Sequence, residues 1–139
     1  IIDSTHMMCR AGRVSKRVQV LCDALLLHPV IHLRKSRMTV GGLEMGDFSH
    51  MARSYVRRVF RDARHIDRRI LFITYAGMDE ERLKYIQQLV RQYCPFERVY
   101  LQKASSAIAS NCGSGSFGLL FMKKNEAVIS FAQASKPDM

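Results

Sequence analysis

Seven residues constrain this fold more than any others. Arg69 to Tyr75, Arg-Ile-Leu-Phe-Ile-Thr-Tyr, form a dense β-branched and aromatic run that ends at Ala76-Gly77. A run this apolar, without polar alternation, reads as a central strand buried on both faces. Segments of helical period bracket it. Upstream, Asp47 or Ser49 can cap a helix that runs to about Arg64, with Ala52, Tyr55, Val56, Val59 and Ala63 on one side. Downstream, Asp79 can cap a second helix built on Leu83, Ile86, Leu89, Val90 and Tyr93, which must stop before Pro95.

The remaining segments extend this alternation. Ile1-Ile2 can begin a short strand, and Ser4 or Thr5 can cap a brief helix that stops near Gly12. From Ser15, Val18, Leu21, Cys22, Leu25 and Leu26 recur at helical spacing until Pro29 turns the chain extended. Two apolar runs, Val30 to Leu33 and Met38 to Leu43, predict a hairpin with a bulge or bend at Gly41-Gly42. Arg98 to Gln102 and Gly118 to Met122 add the last strands. Six strands and about four helices predict an α/β two-layer sandwich, with a mixed six-stranded sheet and helices mainly on one face. The end of the chain is polar, though Val128, Ile129 and Phe131 could pack back onto the domain.

Composition excludes several classes. A chain of 139 residues with 47% hydrophobic residues and three prolines is sized and composed for one folded core. No apolar run reaches the roughly 18 residues of a membrane span. The opening residues have neither an initiator Met nor the pattern of a signal peptide, so the chain is expected to begin inside a longer protein. Cys9, Cys22, Cys94 and Cys112 contain no CxxC pair, and their scatter fits a reducing cytosol. The five histidines form no HExxH motif and have no cysteine at ligand spacing, so neither a metal nor another cofactor is expected. Neither a nucleophile elbow nor an acid/base pair is legible, and the chain is expected not to be an enzyme. The net charge of +10 should attract anions.

Three segments can meet an anion. Ala104 to Gly118 packs three glycines and five serines between two strands, where close backbone N–H groups and hydroxyls could surround a carboxylate or phosphate. It lacks the Gly-Lys-Ser of a P-loop. Cys9 to Lys16 offers Arg10, Arg13 and Lys16 beside Ser15, and arginine suits bidentate carboxylate contacts. On the long helix, Arg53, Arg57, Arg61, Arg64 and Arg68 fall within one arc. That basic helix supports an alternative function, a module for nucleic acid or an acidic partner. Asp62 and Asp67 can pair with its arginines, which argues against nucleic acid.

In order and spacing, three motifs resemble those of the DegV family. Arg10-Ala11-Gly12-Arg13-Val14-Ser15 resembles R-G-G-R-I-S, and Leu27-His28-Pro29-Val30 resembles I-K-P-I. Asn111-Cys112-Gly113-Ser114-Gly115-Ser116-Phe117-Gly118 is similar to H-T-G-P-G-A-L-G. The resemblance implies that residues 1–124 form a DegV-like C-terminal domain followed by a tail, 125–139. It implies a cytoplasmic fatty-acid carrier whose N-terminal domain, absent from this sequence, holds the carboxylate with Thr and Ser hydroxyls. A separate fatty acid kinase would receive the acid, and peripheral membrane contact is compatible with that role. The head group is then expected at Arg13, Arg53, Ser106, Asn111, Cys112, Gly113, Ser114 and Gly115. Two departures bear on function: Asn111 replaces the family's His and cannot carry a proton, and Ser114 replaces Pro and should loosen the turn.

Overall fold

The computed structural model describes residues 1–34 and 37–124, so the expected packing of Val128, Ile129 and Phe131 lies outside the described residues. In chain order the elements are α1 (His6–Arg10), α2 (Lys16–Ala24), β1 (Leu27–Arg34), β2 (Arg37–Met45), α3 (Phe48–Val59), β3 (Ile66–Tyr75), α4 (Glu80–Tyr93), β4 (Arg98–Lys103), α5 (Ser106–Cys112) and β5 (Phe117–Lys123). A single 3-10 turn, Ala63–His65, precedes β3.

The architecture is mixed α/β, but the single six-stranded sheet is replaced by two sheets. β1 and β2 form an antiparallel hairpin. The second sheet has the order β4-β3-β5, with β3 parallel to β4 and antiparallel to β5. The strand expected at Ile1-Ile2 is instead a short bridge between them. Ile1 N donates to Phe117 O at 2.7 Å, and Phe117 N returns a bond to Ile1 O at 3.1 Å. Ile2 N then donates to Pro29 O at 3.0 Å. One bond pair thus reaches β5, and the next amide reaches the hairpin.

The hairpin bulge falls at the glycines. Val30 pairs with Gly42 and Ile31 with Val40, which leaves Gly41 as the extra residue. A Cβ on Gly41 would overlap the His32 ring, so the bulge needs a residue without one.

α3 and α4 cover one face of the three-stranded sheet. Met51, Ala52, Tyr55 and Val56 from α3 meet Ile86, Leu89 and Val90 from α4 over Leu71, Ile73, Phe117 and Leu119. Each fully buried aliphatic of this kind contributes roughly 1.5 to 3 kcal/mol relative to exposure. The rings of Phe117 and Tyr55 meet in a T-shaped pair, 5.4 Å between centroids and at 86°. Burial pushes the Tyr55 phenol pKa up. α3 is also locked to the hairpin, because Arg58 reaches the buried carboxylate of Glu44 at 2.6 Å.

The long helix is shorter than its pattern. It ends at Val59, because Phe60 turns inward to meet Phe96 and Phe121 at 5.7 and 5.6 Å. Arg61, Arg64 and Arg68 therefore leave the helix that was to carry them. Arg64 pairs with Asp62 at 3.2 Å. Asp67 accepts from both the backbone and the guanidinium of Arg69, which holds its carboxyl pKa down to about 2. The continuous basic helix of the alternative function does not form.

Candidate functional site

The glycine- and serine-rich segment is half helix. Ser105 Oγ accepts from Ile108 N at 3.4 Å and starts α5, so the expected simple turn between strands is confined to residues 113–116. Nor is it a hairpin, since β4 and β5 lie on opposite sides of β3 and the segment crosses over it. Gly113 and Gly115 adopt φ of +78° and +83°. Both glycines are also needed for space. A Cβ on Gly113 would press on the Met7 side chain, and one on Gly115 would sit 2.5 Å from Asp3 Oδ2. The turn is held from the side by β3's exit: Gly115 N donates to Ala76 O at 2.8 Å, and Ala76 N to Ser116 O at 3.0 Å.

At this turn the structure joins two of the sequence's anion segments. Arg13 Nε donates to Asn111 Oδ1 at 3.1 Å, across 98 residues of chain. Asn111 Nδ2 donates back to Ala107 O at 2.7 Å, which fixes the amide's orientation. Asn111 is thereby committed to holding Arg13. With Nε engaged, the guanidinium still has its two terminal nitrogens, the pair that suits bidentate contact with a carboxylate. Arg13 lies in the α1–α2 turn, two residues before the Ser15 cap of α2. Beneath it, Ile2, Met8 and Ile31 form a small buried cluster against which Val14 and Cys112 pack.

The other expected residues are placed as follows. Ser106 is the exposed first residue of α5. Cys112 ends that helix with its thiol pKa raised, chiefly by burial, which makes it a packing group and not a nucleophile. Ser114 lies against Gly77, where a Cβ would meet its Oγ at 2.5 Å. Arg53 bonds elsewhere: its Nη2 donates to Tyr85 Oη at 3.3 Å, and that hydroxyl donates to Ser49 O. No hydrogen bond among the described residues joins Arg53 to Arg13 or Asn111.

Sequence reasoning missed a second corner of the same turn. Asp3, beside Gly115, pairs through Oδ2 with Arg82 Nη1 at 3.4 Å, and Arg82 lies 4.5 Å over the centroid of Phe48. Asp3 carries no periodic or motif signal, so only the tertiary fold reveals it. A cleft of about 800 Å³ opens next to Arg82, between the first turns of α3 and α4. Its wall holds Asp79, Glu80 and Glu81 with the cations Arg82 and Lys84 paired to the first two, and none of the residues expected from sequence.

α2 supplies the remaining feature. Of its apolar positions only Cys22 is buried, while Val18, Leu21 and Leu25 are 47%, 54% and 51% exposed. An exposed apolar helix therefore starts three residues after Arg13 in the chain. Among the described residues, no three His, Cys, Asp or Glu side chains gather as a metal site, and no helix is long and apolar enough to cross a membrane.

Comparison with known proteins bears directly on this arrangement. The protein-family comparison matches residues 1–124 to the family described as "Uncharacterised protein, DegV family". The chain belongs to the DegV family. A solved structure titled "Fatty Acid Binding of a DegV family Protein from Thermus thermophilus" is similar over 85% of this chain, at 26% identity and a TM-score of 0.60. The DegV chain described here spans 42% of that protein's length. No curated protein matches the sequence.

Proposed function

We propose that this DegV chain binds a long-chain fatty acid, with the carboxylate at Arg13 beside the 113–115 turn and the acyl chain along α2. One observation carries the reading: Asn111 fixes Arg13 by its Nε at the start of an exposed apolar helix. A cation with its terminal nitrogens uncommitted, close in the chain to an exposed apolar helix, matches a molecule that is anionic at one end and hydrocarbon along the rest. Each methylene that α2 covers would contribute roughly 0.8 kcal/mol. The related structure's title, which names fatty-acid binding, supports the same ligand class.

The role is carriage without chemistry. Asn111 cannot donate or accept a proton at neutral pH, and its amide is already engaged, so it orients Arg13 and nothing more. The acid would be presented to a separate fatty acid kinase, in the cytoplasm. An N-terminal DegV domain in the same protein would close the site with its Thr and Ser hydroxyls. Arg53, bonded to Tyr85, is assigned to α3–α4 packing and not to the head group.

The test is native mass spectrometry of this chain joined to the N-terminal domain of a DegV relative. A co-purified long-chain fatty acid is expected. Arg13→Ala should reduce its occupancy, and so should Leu21→Ser on α2. A ligand-free protein that also fails to take up added oleate or palmitate would sink the proposal.

A further inference from the structure

His28 is almost wholly buried at the base of the hairpin, and both of its ring nitrogens face carbonyl oxygens. Nδ1 lies 2.8 Å from Asp3 O, and Nε2 lies 2.8 Å from Gly46 O. A neutral imidazole has one N–H and one lone pair, so one of these carbonyls would then face a lone pair across a short contact. Only the imidazolium donates to both.

We propose that His28 is a positioning residue held as the imidazolium cation, which fixes Asp3 and through it the Gly115 side of the glycine turn. The path is short and continuous. His28 grips the Asp3 carbonyl, the Asp3 carboxylate meets Arg82 and fills the space beside Gly115, and Gly115 is bonded to Ala76. From its other nitrogen His28 grips Gly46, immediately before the Asp47 cap of α3. The ring therefore ties the chain's first residues to the turn between β2 and α3.

Charged groups on every neighbouring element are consistent with this assignment. Asp3 Oδ1 stands 3.7 Å from Nδ1. Glu44 is the residue opposite His28 across the hairpin, its carboxylate shared with Arg58 on α3. Arg82 on α4 shares the Asp3 carboxylate. At the α3 entry, Asp47 pairs with His50 at 3.0 Å. Asp3 and Glu44 already have guanidinium partners and Asp47 has His50, so the two carbonyls at 2.8 Å decide the ring's form.

The proposal concerns the turn of the suggested lipid site, but its test needs no lipid. In a nitrogen-15 spectrum of the 139-residue chain near neutral pH, His28 should show a proton on each ring nitrogen. A single protonated nitrogen would overturn the proposal. His28→Gln should speed amide exchange at Ile2 and Gly115 by about tenfold, the scale of one lost charged hydrogen bond, and His28→Lys should restore protection at both. Unchanged exchange at Gly115 in the glutamine variant would overturn the positioning role. If the glutamine variant does not fold, the wild-type spectrum and the lysine variant decide. A doubly protonated ring with normal lysine rescue, in a protein that takes up no fatty acid, would support the positioning role while removing the lipid reading.

Discussion

α4 and α2 carry the same kind of pattern and meet different fates. Both begin at a side-chain cap, Asp79 Oδ1 accepting from Arg82 N at 2.8 Å and Ser15 Oγ from Val18 N at 3.3 Å. Both repeat apolar residues at three and four positions. Yet α4 buries Leu83, Ile86, Leu89 and Val90, whereas α2 buries only Cys22. Apolar periodicity specifies that a helix forms and which face is apolar. It does not specify that this chain supplies the cover. α4 finds its cover in the sheet and α3, and the apolar side chains of α2 stay exposed.

The largest test of this contrast pairs two leucine truncations. Leu89→Ala should lower unfolding free energy by about 2 to 5 kcal/mol in urea titrations, from lost packing and the cavity left behind. Leu25→Ala should stay within about 0.5 kcal/mol. Similar costs at the two sites would mean that α2's face is covered within the folded chain, and the contrast would fail. Removing the caps sharpens it at a smaller scale. Asp79→Ala should reduce global stability by about 1 kcal/mol, while Ser15→Ala should show mainly as faster amide exchange between Val18 and Cys22, with little change in the global transition. The smallest effect concerns where α2 stops. Leu26 has φ of +48°, a left-handed conformation that glycine adopts without strain, and its side chain is exposed. Leu26→Gly should therefore raise stability by up to about 1 kcal/mol, read as a higher midpoint in the same titration.

What the sequence disclosed follows from the range of each interaction. Local signals read well: the caps at Asp47 and Asp79, the bulge at Gly41, and the apolar run as a central strand, although only one of its faces is buried and Ile70 and Phe72 are 38% and 39% exposed. These depend on residues a few positions apart. The end of α3 was not legible, because no breaker follows Val59 and the helix yields to Phe60's contacts with residues 36 and 61 positions downstream. The sheet count failed for a related reason, since pairing order is decided between distant strands. α5 had a local signal, the Ser105 cap followed by Ala107, Ile108 and Ala109, but the neighbouring glycines and serines outweighed it. Of the residues that the motif resemblance expects at one place, Arg13 and Asn111 are joined by a hydrogen bond, while Arg53 bonds to Tyr85 instead. Asp3, His28 and Arg82 form a corner whose logic is entirely three-dimensional.

The Ile1-Ile2 bridge has a consequence for association between molecules. Ile1 occupies both the N–H and the C=O of Phe117, at the start of an outer strand of the three-stranded sheet. Beyond Phe117 no strand of the described residues flanks this edge, so Ile1 covers only the first step of a strand rich in leucine and phenylalanine, and its departure would lengthen an edge that a foreign strand could join. The first isoleucine thus shortens an open edge as well as linking the two sheets.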